Sequence, residues 1–178
     1  MTSLAAFTVL VALVGLERLA ELVVSNRNAA WSLAQGGRET GRGHYPVMVV
    51  LHTGLLVGAL AEAWLRRPDV PGALAWSMLL LVLASQALRW WCISTLGQRW
   101  NTRVIVVPGL PLVTSGPYRF FSHPNYVAVV VEGVALPLVH ASWVTAVVFT
   151  AANAVLLAVR LHVENSALQT APGERADA

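Results

Sequence analysis

Five apolar runs separated by polar segments organise this chain. They cover Leu4–Val24, Val47–Leu65, Ala73–Ile93, Tyr126–Val139 and Trp143–Val163. Because about twenty apolar residues in a helix cross the hydrocarbon core of a bilayer, four of these runs are long enough to cross alone. The run Tyr126–Val139 is shorter and a tight turn joins it to the last run, so we expect these two to form a helical hairpin. The pattern predicts an all-α, polytopic integral membrane protein with five transmembrane helices.

The sequence reads as a single integral membrane domain over residues 1–178. Within it we expect a three-helix scaffold over residues 1–93, a polar connection followed by the hairpin over residues 94–168, and a flexible tail over residues 169–178. The segment Asn26–Tyr45 is polar and rich in glycine. Such segments are typical of loops, and we expect one here that holds a short helix around Ala29–Gln35.

Composition supports the membrane class and excludes several functions. Hydrophobic residues make up 56% of the chain and charged residues 12%, which lies far from soluble averages. The net charge of +3 comes from arginines scattered between apolar runs, so we expect no nucleic-acid binding. Cys92 is the single cysteine, which excludes an intramolecular disulfide framework and a multi-cysteine zinc site. We therefore predict no metal site.

The positions of the arginines predict the orientation in the membrane. Ten of the twelve lie in the first and third connections, in the C-terminal tail or at the helix ends beside them; Arg66 and Arg67 lie in the second connection. Because arginine-rich connections stay in the cytoplasm, the N-terminus is expected outside. The polar connection before the hairpin then faces the cytoplasm.

That connection holds the densest group of polar side chains in the chain. The stretch Leu112–Tyr126 reads LVTSGPYRFFSHPNY, and Tyr118, His123, Asn125 and Tyr126 offer donors, acceptors and ring faces within nine residues. The N-terminus of the helix that follows supplies free N–H groups suited to an anion. The alternative is an ordered connector whose polar groups satisfy only one another.

The last helix carries a second polar group. Asn153, Arg160 and Glu164 are spaced 7 and 4 residues apart, which puts an amide, a guanidinium and a carboxylate on one helix face. The alternative is an Arg160–Glu164 pair that only caps the helix.

The first run also contains ionisable residues. Glu17, Glu21 and Ser25 share one helix face, and Arg18 can pair with Glu21. These charges either lock the first helix to its neighbours or serve function, and both readings stay open. His52, alone in the second run, is interpreted as a hydrogen-bonded structural residue.

The sequence resembles the isoprenylcysteine carboxyl methyltransferase family. The residues that carry the resemblance are GPYRFFSHPNY, the short helix, turn and long helix that follow, and RLHVENSAL at the end. The similarity covers about residues 94–168, and the beginning resembles a bacterial branch with an ERxxEL pattern that includes alkylpyrone O-methyltransferases. Ser122 replaces the family arginine before His-Pro, Asn165 replaces a second glutamate, and the C-terminal extension of the eukaryotic enzymes is missing.

This resemblance implies an integral membrane enzyme that uses S-adenosylmethionine. It places the cofactor against the backbone of one segment and the side chains of another: Leu110, Pro111, Leu112 and Val113, then Tyr118, His123, Pro124, Asn125 and Tyr126. It places Arg160 and Glu164 where the methyl group meets its acceptor. Arg160 would hold an anionic oxygen, and Glu164 would orient the pair or accept a proton.

The acceptor implied by the resemblance is a lipophilic small molecule that enters from the bilayer among membrane lipids. Its reactive group would be a carboxylate or an enol or phenol oxygen, as in an alkylpyrone-type polyketide; an isoprenoid carboxylate and a phospholipid amine stay open. The expected location is the bacterial inner membrane, with the active site facing the cytoplasm. Two alternatives are an NADPH-dependent membrane reductase and a non-catalytic membrane assembly protein. The oligomeric state stays open.

Overall fold

A computed structural model describes residues 4–169 and confirms a mostly helical chain. The elements in chain order are α1 (Leu4–Ala34), β1 (Arg38–Thr40), α2 (His44–Arg66), α3 (Gly72–Leu96), β2 (Val104–Val106), α4 (Pro124–Leu138) and α5 (Trp143–Gln169). Single turns of 3-10 helix lie at Gly97–Arg99 and Gly116–Arg119. The polar connection thus contains two short turns and a strand between its two flanking helices.

Three helices of the described part are long and apolar enough to cross a membrane: His44–Arg66, Gly72–Arg99 and Trp143–Ala167. The helix α4 is apolar but shorter, as its sequence predicts. The helix α1 has the length, but Glu17, Arg18 and Glu21 interrupt its apolar run. Length and composition therefore support three spans, and a crossing by α1 and α4 stays a prediction.

One end of the bundle is an apolar core. Small side chains let the helices approach closely there, since Ala59, Ala63 and Ala135 are fully buried. Phe7 and Leu136 fill the space between α1, α2 and α4. This packing fixes α4 against its neighbours at the end remote from the polar connection.

The predicted hairpin of α4 and α5 is confirmed. The turn Val139–Ser142 joins the two helices, and Ala141 adopts a left-handed φ of 53°. The hydroxyl of Ser142 donates to the Ala59 carbonyl at 3.0 Å, and Glu62 accepts from the Thr145 backbone N–H at 2.8 Å. The carboxylate of α2 therefore satisfies free N–H groups at the start of α5.

The prediction that the first helix ends at Val24 is wrong, and the loop predicted over Asn26–Tyr45 is shorter than expected. The helix predicted around Ala29–Gln35 is present as the last part of α1, and the non-helical segment lies between α1 and α2. The helix α1 continues to Ala34, because the polar residues on one of its faces after Val24 are buried against protein. Ser25 and Asn28 are buried, and the Asn28 amide donates to the Gly97 carbonyl at 3.0 Å and to the Trp100 carbonyl at 2.7 Å. The helix thereby packs against the connection that follows α3.

The all-α prediction needs a second correction, because the chain contains a small antiparallel sheet. The strand β1 pairs with β2 so that Arg38 lies opposite Val106 and Thr40 opposite Val104. Each strand has three residues, too short for a recognisable alternation of polar and apolar positions. The sheet ties the segment after α1 to the connection before α4, at the polar end of the bundle.

Candidate active site

A cavity of about 210 Å³ lies inside the polar end of the bundle. All five helices and the segment Trp100–Thr102 contribute to its walls. Three cavity-lining residues, Leu19, Val49 and Thr53, are also exposed on the surfaces of α1 and α2. The cavity therefore reaches the side of the bundle between these two helices.

Arg160 is the charged residue that α5 contributes to this cavity. Its side chain is buried, and its Nη2 donates to the Thr102 carbonyl at 2.9 Å, while Nη1 contacts Met48 Sδ. Among the described residues, no ion pair joins Arg160 to a carboxylate. A buried guanidinium without an anionic partner attracts an anionic ligand.

Tyr126 connects the cavity to the polar connection. Its ring lines the cavity, and the Arg160 guanidinium carbon lies 5.6 Å from the ring centroid. The Tyr126 hydroxyl donates to Glu164 Oε2, and the His123 ring stacks on the Tyr126 ring with centroids 5.4 Å apart. His123 Nδ1 is 3.8 Å from Glu164 Oε1. Tyr126, His123 and Glu164 form one cluster beside the cavity.

The expected interaction of Arg160 with Glu164 is not what the structure contains. Glu164 bonds to Tyr126 on α4 and lies outside the cavity lining, while Arg160 points to α2 and to Thr102. The spacing on α5 correctly puts the two on one face, but partners from other helices separate them. The alternative of an Arg160–Glu164 cap is therefore wrong as well.

Tyr118 belongs to the 3-10 turn Gly116–Arg119. Gly116 has a φ of +58°, and an added Cβ would stand 2.5 Å from Thr95 Oγ1, so the turn requires glycine. Burial and the neighbouring Cys92 thiol raise the pKa of the Tyr118 phenol. Tyr118 therefore stays a neutral hydrogen-bonding group at physiological pH, as does a phenol in any buried site.

The segment Leu110–Val113 occupies a different environment. Leu110, Pro111 and Leu112 are exposed and Val113 is half-buried, and none of them lines the cavity. The Pro111 carbonyl accepts from Arg99 Nη1 at 2.7 Å, which fixes the backbone at the surface. Pro124 is fully buried at the start of α4, and Asn125 lines the cavity. The predicted cofactor residues thus fall into a surface strip, a cluster and a cavity wall.

A buried ionic network adjoins the cavity on the side of α1, α3 and α4. Arg18 Nη1 bonds to Glu21 Oε2 at 2.6 Å, which confirms the predicted pair. Arg18 also bonds to Glu132 at 3.2 Å, Arg89 bonds to the same Glu132 oxygen, and Arg89 Nε lies 3.5 Å from Glu21 Oε1. These charges join three helices, as expected if they lock α1 to its neighbours. Arg18, Glu21 and Arg89 also line the cavity, so a functional role stays open.

Several buried polar atoms on the cavity wall have no hydrogen-bond partner. Within the described part of the chain they are Arg160 Nε, Asn153 Oδ1, Asn125 Oδ1, Asn101 Nδ2 and Trp100 Nε1, together with Arg18 Nε, Glu21 Oε1 and Arg89 Nε of charged residues beside them. Leaving such atoms unpaired costs roughly 1–3 kcal/mol each, so a polar ligand would satisfy them. The wall offers both donors and acceptors, which suits a molecule with several oxygen or nitrogen atoms.

Sequence reasoning left parts of this wall unassigned. Met48 and Thr102 hold Arg160, and Asn101 adds an unpaired amide, although no pattern pointed to them. The interpretation of His52 as a hydrogen-bonded residue is confirmed by its bond to the Met48 carbonyl, and His52 also lines the cavity. Within the described residues, no group of three metal-ligating side chains exists.

Comparison with known proteins identifies the family. The profile described as Isoprenylcysteine carboxyl methyltransferase (ICMT) family matches residues 78–170. An uncharacterized protein of Bacillus subtilis, YpbQ, is 37% identical over 163 residues, which cover 92% of this chain and 96% of that protein. The chain belongs to the ICMT family. The matched segment contains every residue predicted for the cofactor and the methyl acceptor.

Other relatives are more distant. An uncharacterized protein of Haemophilus influenzae is 24% identical over 152 residues, 85% of this chain and 88% of that protein. The protein-methionine-sulfoxide reductase heme-binding subunit MsrQ of Agrobacterium fabrum is 41% identical over 59 residues, 33% of this chain and 27% of that protein. No solved structure matches the chain significantly. Membership of the ICMT family, with three apolar helices, indicates an integral membrane methyltransferase.

Proposed function

We propose that this protein is an S-adenosylmethionine-dependent O-methyltransferase that acts on a lipophilic acceptor. One observation carries the proposal: Tyr126 lines the cavity beside Arg160 and also bonds to Glu164 in the cluster with His123. A cofactor held by the cluster and an acceptor held in the cavity would meet at this tyrosine. Membership of the ICMT family supports this assignment of the two sides.

The residues present fit the cofactor. An ammonium or adenine amine needs acceptors, and Asn125 Oδ1 is buried without a partner at the start of α4. The His123 and Tyr126 rings offer stacking faces, Tyr118 adds a neutral hydroxyl, and the surface strip Leu110–Val113 would close over the outside. When bound, S-adenosylmethionine supplies a methyl group that is already activated for displacement. The protein's contribution is then to orient the acceptor oxygen and to exclude water.

Arg160 would hold the acceptor oxygen. Its guanidinium is fixed by Thr102 and Met48, and among the residues that the structure describes it has no carboxylate partner and its Nε has no hydrogen-bond partner. A preorganised positive charge favours an oxygen on which negative charge develops. Glu164 would act as a positioning residue, because its contacts orient Tyr126 and His123 rather than the cavity.

The shape of the cavity favours an acceptor with a long apolar tail. The opening between α1 and α2 is bordered by Leu19, Val49 and Thr53, which are exposed on the sides of their helices. A tail could leave the cavity there and continue into the bilayer, while a polar head stays beside Arg160. An alkylpyrone-type polyketide with a free enol has this form. We place the site on the cytoplasmic side of a bacterial inner membrane with the N-terminus outside, as the arginine positions predict.

Methyl transfer by the purified protein in lipid nanodiscs tests the proposal. Labelled S-adenosylmethionine would be supplied with one of three acceptors: a synthetic alkylpyrone with a free enol, an isoprenoid carboxylate, or phosphatidylethanolamine. We expect labelled methyl on oxygen, and a loss on the order of 100- to 1000-fold in Arg160→Ala, the scale found when a charge-stabilising donor is removed. The exposed Arg27, changed to Ala, is the matched control and should keep full activity.

The outcomes separate the parts of the proposal. Methyl transfer to the amine of phosphatidylethanolamine alone would contradict O-methylation. Turnover of Arg160→Ala within about threefold of wild type, a difference under 1 kcal/mol, would contradict the role of Arg160.

A further inference from the structure

We propose that His52 takes the proton from the hydroxyl group of the methyl-accepting substrate, an inference that rests on the proposed methyltransferase function. A lipophilic hydroxyl compound arriving from the bilayer is protonated, because hydrocarbon excludes ions. Its oxygen must therefore lose a proton inside the cavity for methylation to proceed. The candidate must line the cavity, carry a free lone pair and lie near Arg160.

The tautomer of His52 follows from its contact with the backbone. Its Nδ1 lies 2.9 Å from the Met48 carbonyl oxygen, one turn earlier on α2. A carbonyl can only accept, so Nδ1 carries the hydrogen and the neutral ring has its lone pair on Nε2. The Phe149 ring lies edge-on to His52 with centroids 5.4 Å apart, which holds the imidazole in orientation. His52 lines the cavity, so Nε2 is the ring nitrogen left for a ligand.

Met48 contacts both His52 and Arg160. The sulfur of Met48 contacts Arg160 Nη1, and the carbonyl of the same residue accepts from His52. His52 follows Met48 by one helical turn, about 6 Å along α2. A substrate head group beside Arg160 and Met48 would therefore lie about one turn of α2 from the His52 imidazole.

The carboxylates nearby are less suited to take this proton. Glu164 bonds to Tyr126 and lies outside the cavity lining. Glu21 lines the cavity, but its Oε2 accepts from Arg18 at 2.6 Å and its Oε1 lies 3.5 Å from Arg89 Nε, so both of its oxygens face guanidiniums of the ionic network. The titratable and charged residues that line the cavity around His52 are Arg18 and Glu21 from α1, Arg89 from α3, Tyr126 from α4 and Arg160 from α5. The network adds Glu132 of α4.

The proton balance is simple. The O–H bond of the acceptor breaks, an N–H bond forms at His52 Nε2, and the electron pair stays on oxygen, where it is available for the methyl group. The oxygen is held by Arg160 as it becomes anionic. The imidazolium returns its proton to water after the product leaves, so no oxidant or reductant is needed.

The pH dependence of single-turnover methyl transfer to the alkylpyrone tests this role. We expect His52→Gln to slow the step by about 100-fold, the lower end for general-base catalysis, and to lack the acidic limb that the wild type shows in the range of about pH 5 to 8. Imidazole added to His52→Ala should restore part of the rate. The exposed His162, changed to Gln, is the matched control and should retain the wild-type profile.

A second measurement does not depend on activity. Nitrogen NMR of protein with labelled histidine should show His52 protonated at Nδ1 and unprotonated at Nε2, and the Nε2 signal should shift when the alkylpyrone is added without cofactor. A ring protonated at Nε2 alone would overturn the proposal. So would a His52→Gln rate close to wild type, or a slow variant that keeps the acidic limb.

Binding of S-adenosylhomocysteine separates this proposal from the one on which it rests. The wild type and His52→Gln should bind it equally, because His52 belongs to α2 while Tyr126, His123 and Glu164, which would hold the cofactor, come from α4, the residue before it and α5. Absence of binding by the wild type would contradict methyl transfer and the His52 role together. Equal binding with an unchanged rate in His52→Gln would contradict the His52 role alone.

Discussion

Replacing Glu132 by glutamine should destabilise the bundle more than any exposed change of the same kind. Glu132 is buried, and its Oε2 accepts from both Arg18 and Arg89. The four charges Arg18, Arg89, Glu21 and Glu132 balance. The variant leaves the buried Arg89 and the partly buried Arg18 with Glu21 as the remaining carboxylate among these four.

The magnitude follows from that imbalance. Removing one partner of a buried ion pair costs about 3–5 kcal/mol, because the other charge is left uncompensated. Glutamine keeps an oxygen that accepts one hydrogen bond, so we expect a value near the lower end, about 3 kcal/mol. Glu17 lies 3.6 Å from Arg18 and is partly solvent-accessible, so it offsets only a fraction of the excess charge.

Unfolding in detergent by a denaturing surfactant measures this loss. The exposed Asp69 offers the matched acid-to-amide change, and Asp69→Asn should stay within about 0.5 kcal/mol of wild type. The double variant Arg89→Gln/Glu132→Gln should lose less than the sum of its two parts, since it removes both charges. A loss under about 1 kcal/mol in Glu132→Gln, the scale of a surface pair, would refute the reasoning.

Two further predictions concern the polar connection. Gly116→Ala should weaken S-adenosylhomocysteine binding at least about tenfold, because the added Cβ would meet Thr95 Oγ1 and displace the turn that holds Tyr118. Gly36 also has a positive φ, +81°, but has open space around it, so Gly36→Ala controls for backbone strain alone. Equal affinity in the two variants would contradict the prediction. The raised pKa of Tyr118 predicts that its contribution to stability is fully present below pH about 10 and falls as pH rises above that value, because the unfolded phenol ionises first. The free energy of unfolding of Tyr118→Phe should therefore fall less steeply with alkaline pH than that of the wild type. An unchanged alkaline slope would exclude a contribution from Tyr118.

Much of the candidate site could be predicted because its signals are local. The sequence shows the motif around Tyr118 and His123, and it shows the spacing of Asn153 and Arg160. Both Asn153 and Arg160 line the cavity. The partners of these residues were harder to predict, because they come from distant elements. Glu164 bonds across to Tyr126 on α4 rather than along α5, and no spacing rule within one helix indicates that.

The two errors in the predicted fold have a common physical origin. Ser25 and Asn28 look like loop residues because polar residues usually meet water, yet here they are buried against residues that follow α3. The strand pair joins Arg38–Thr40 to Val104–Val106, a long-range pairing of three-residue segments without a periodic pattern. Both features depend on the tertiary arrangement at the polar end of the bundle.

The most direct test of the central claim is a calorimetric titration of the wild-type protein in detergent with S-adenosylhomocysteine, beside the same titration with NADPH. We expect saturable binding of S-adenosylhomocysteine, in the micromolar range or tighter, and no binding of NADPH. Binding of NADPH by a folded protein that does not bind S-adenosylhomocysteine would contradict methyl transfer and indicate a membrane reductase instead.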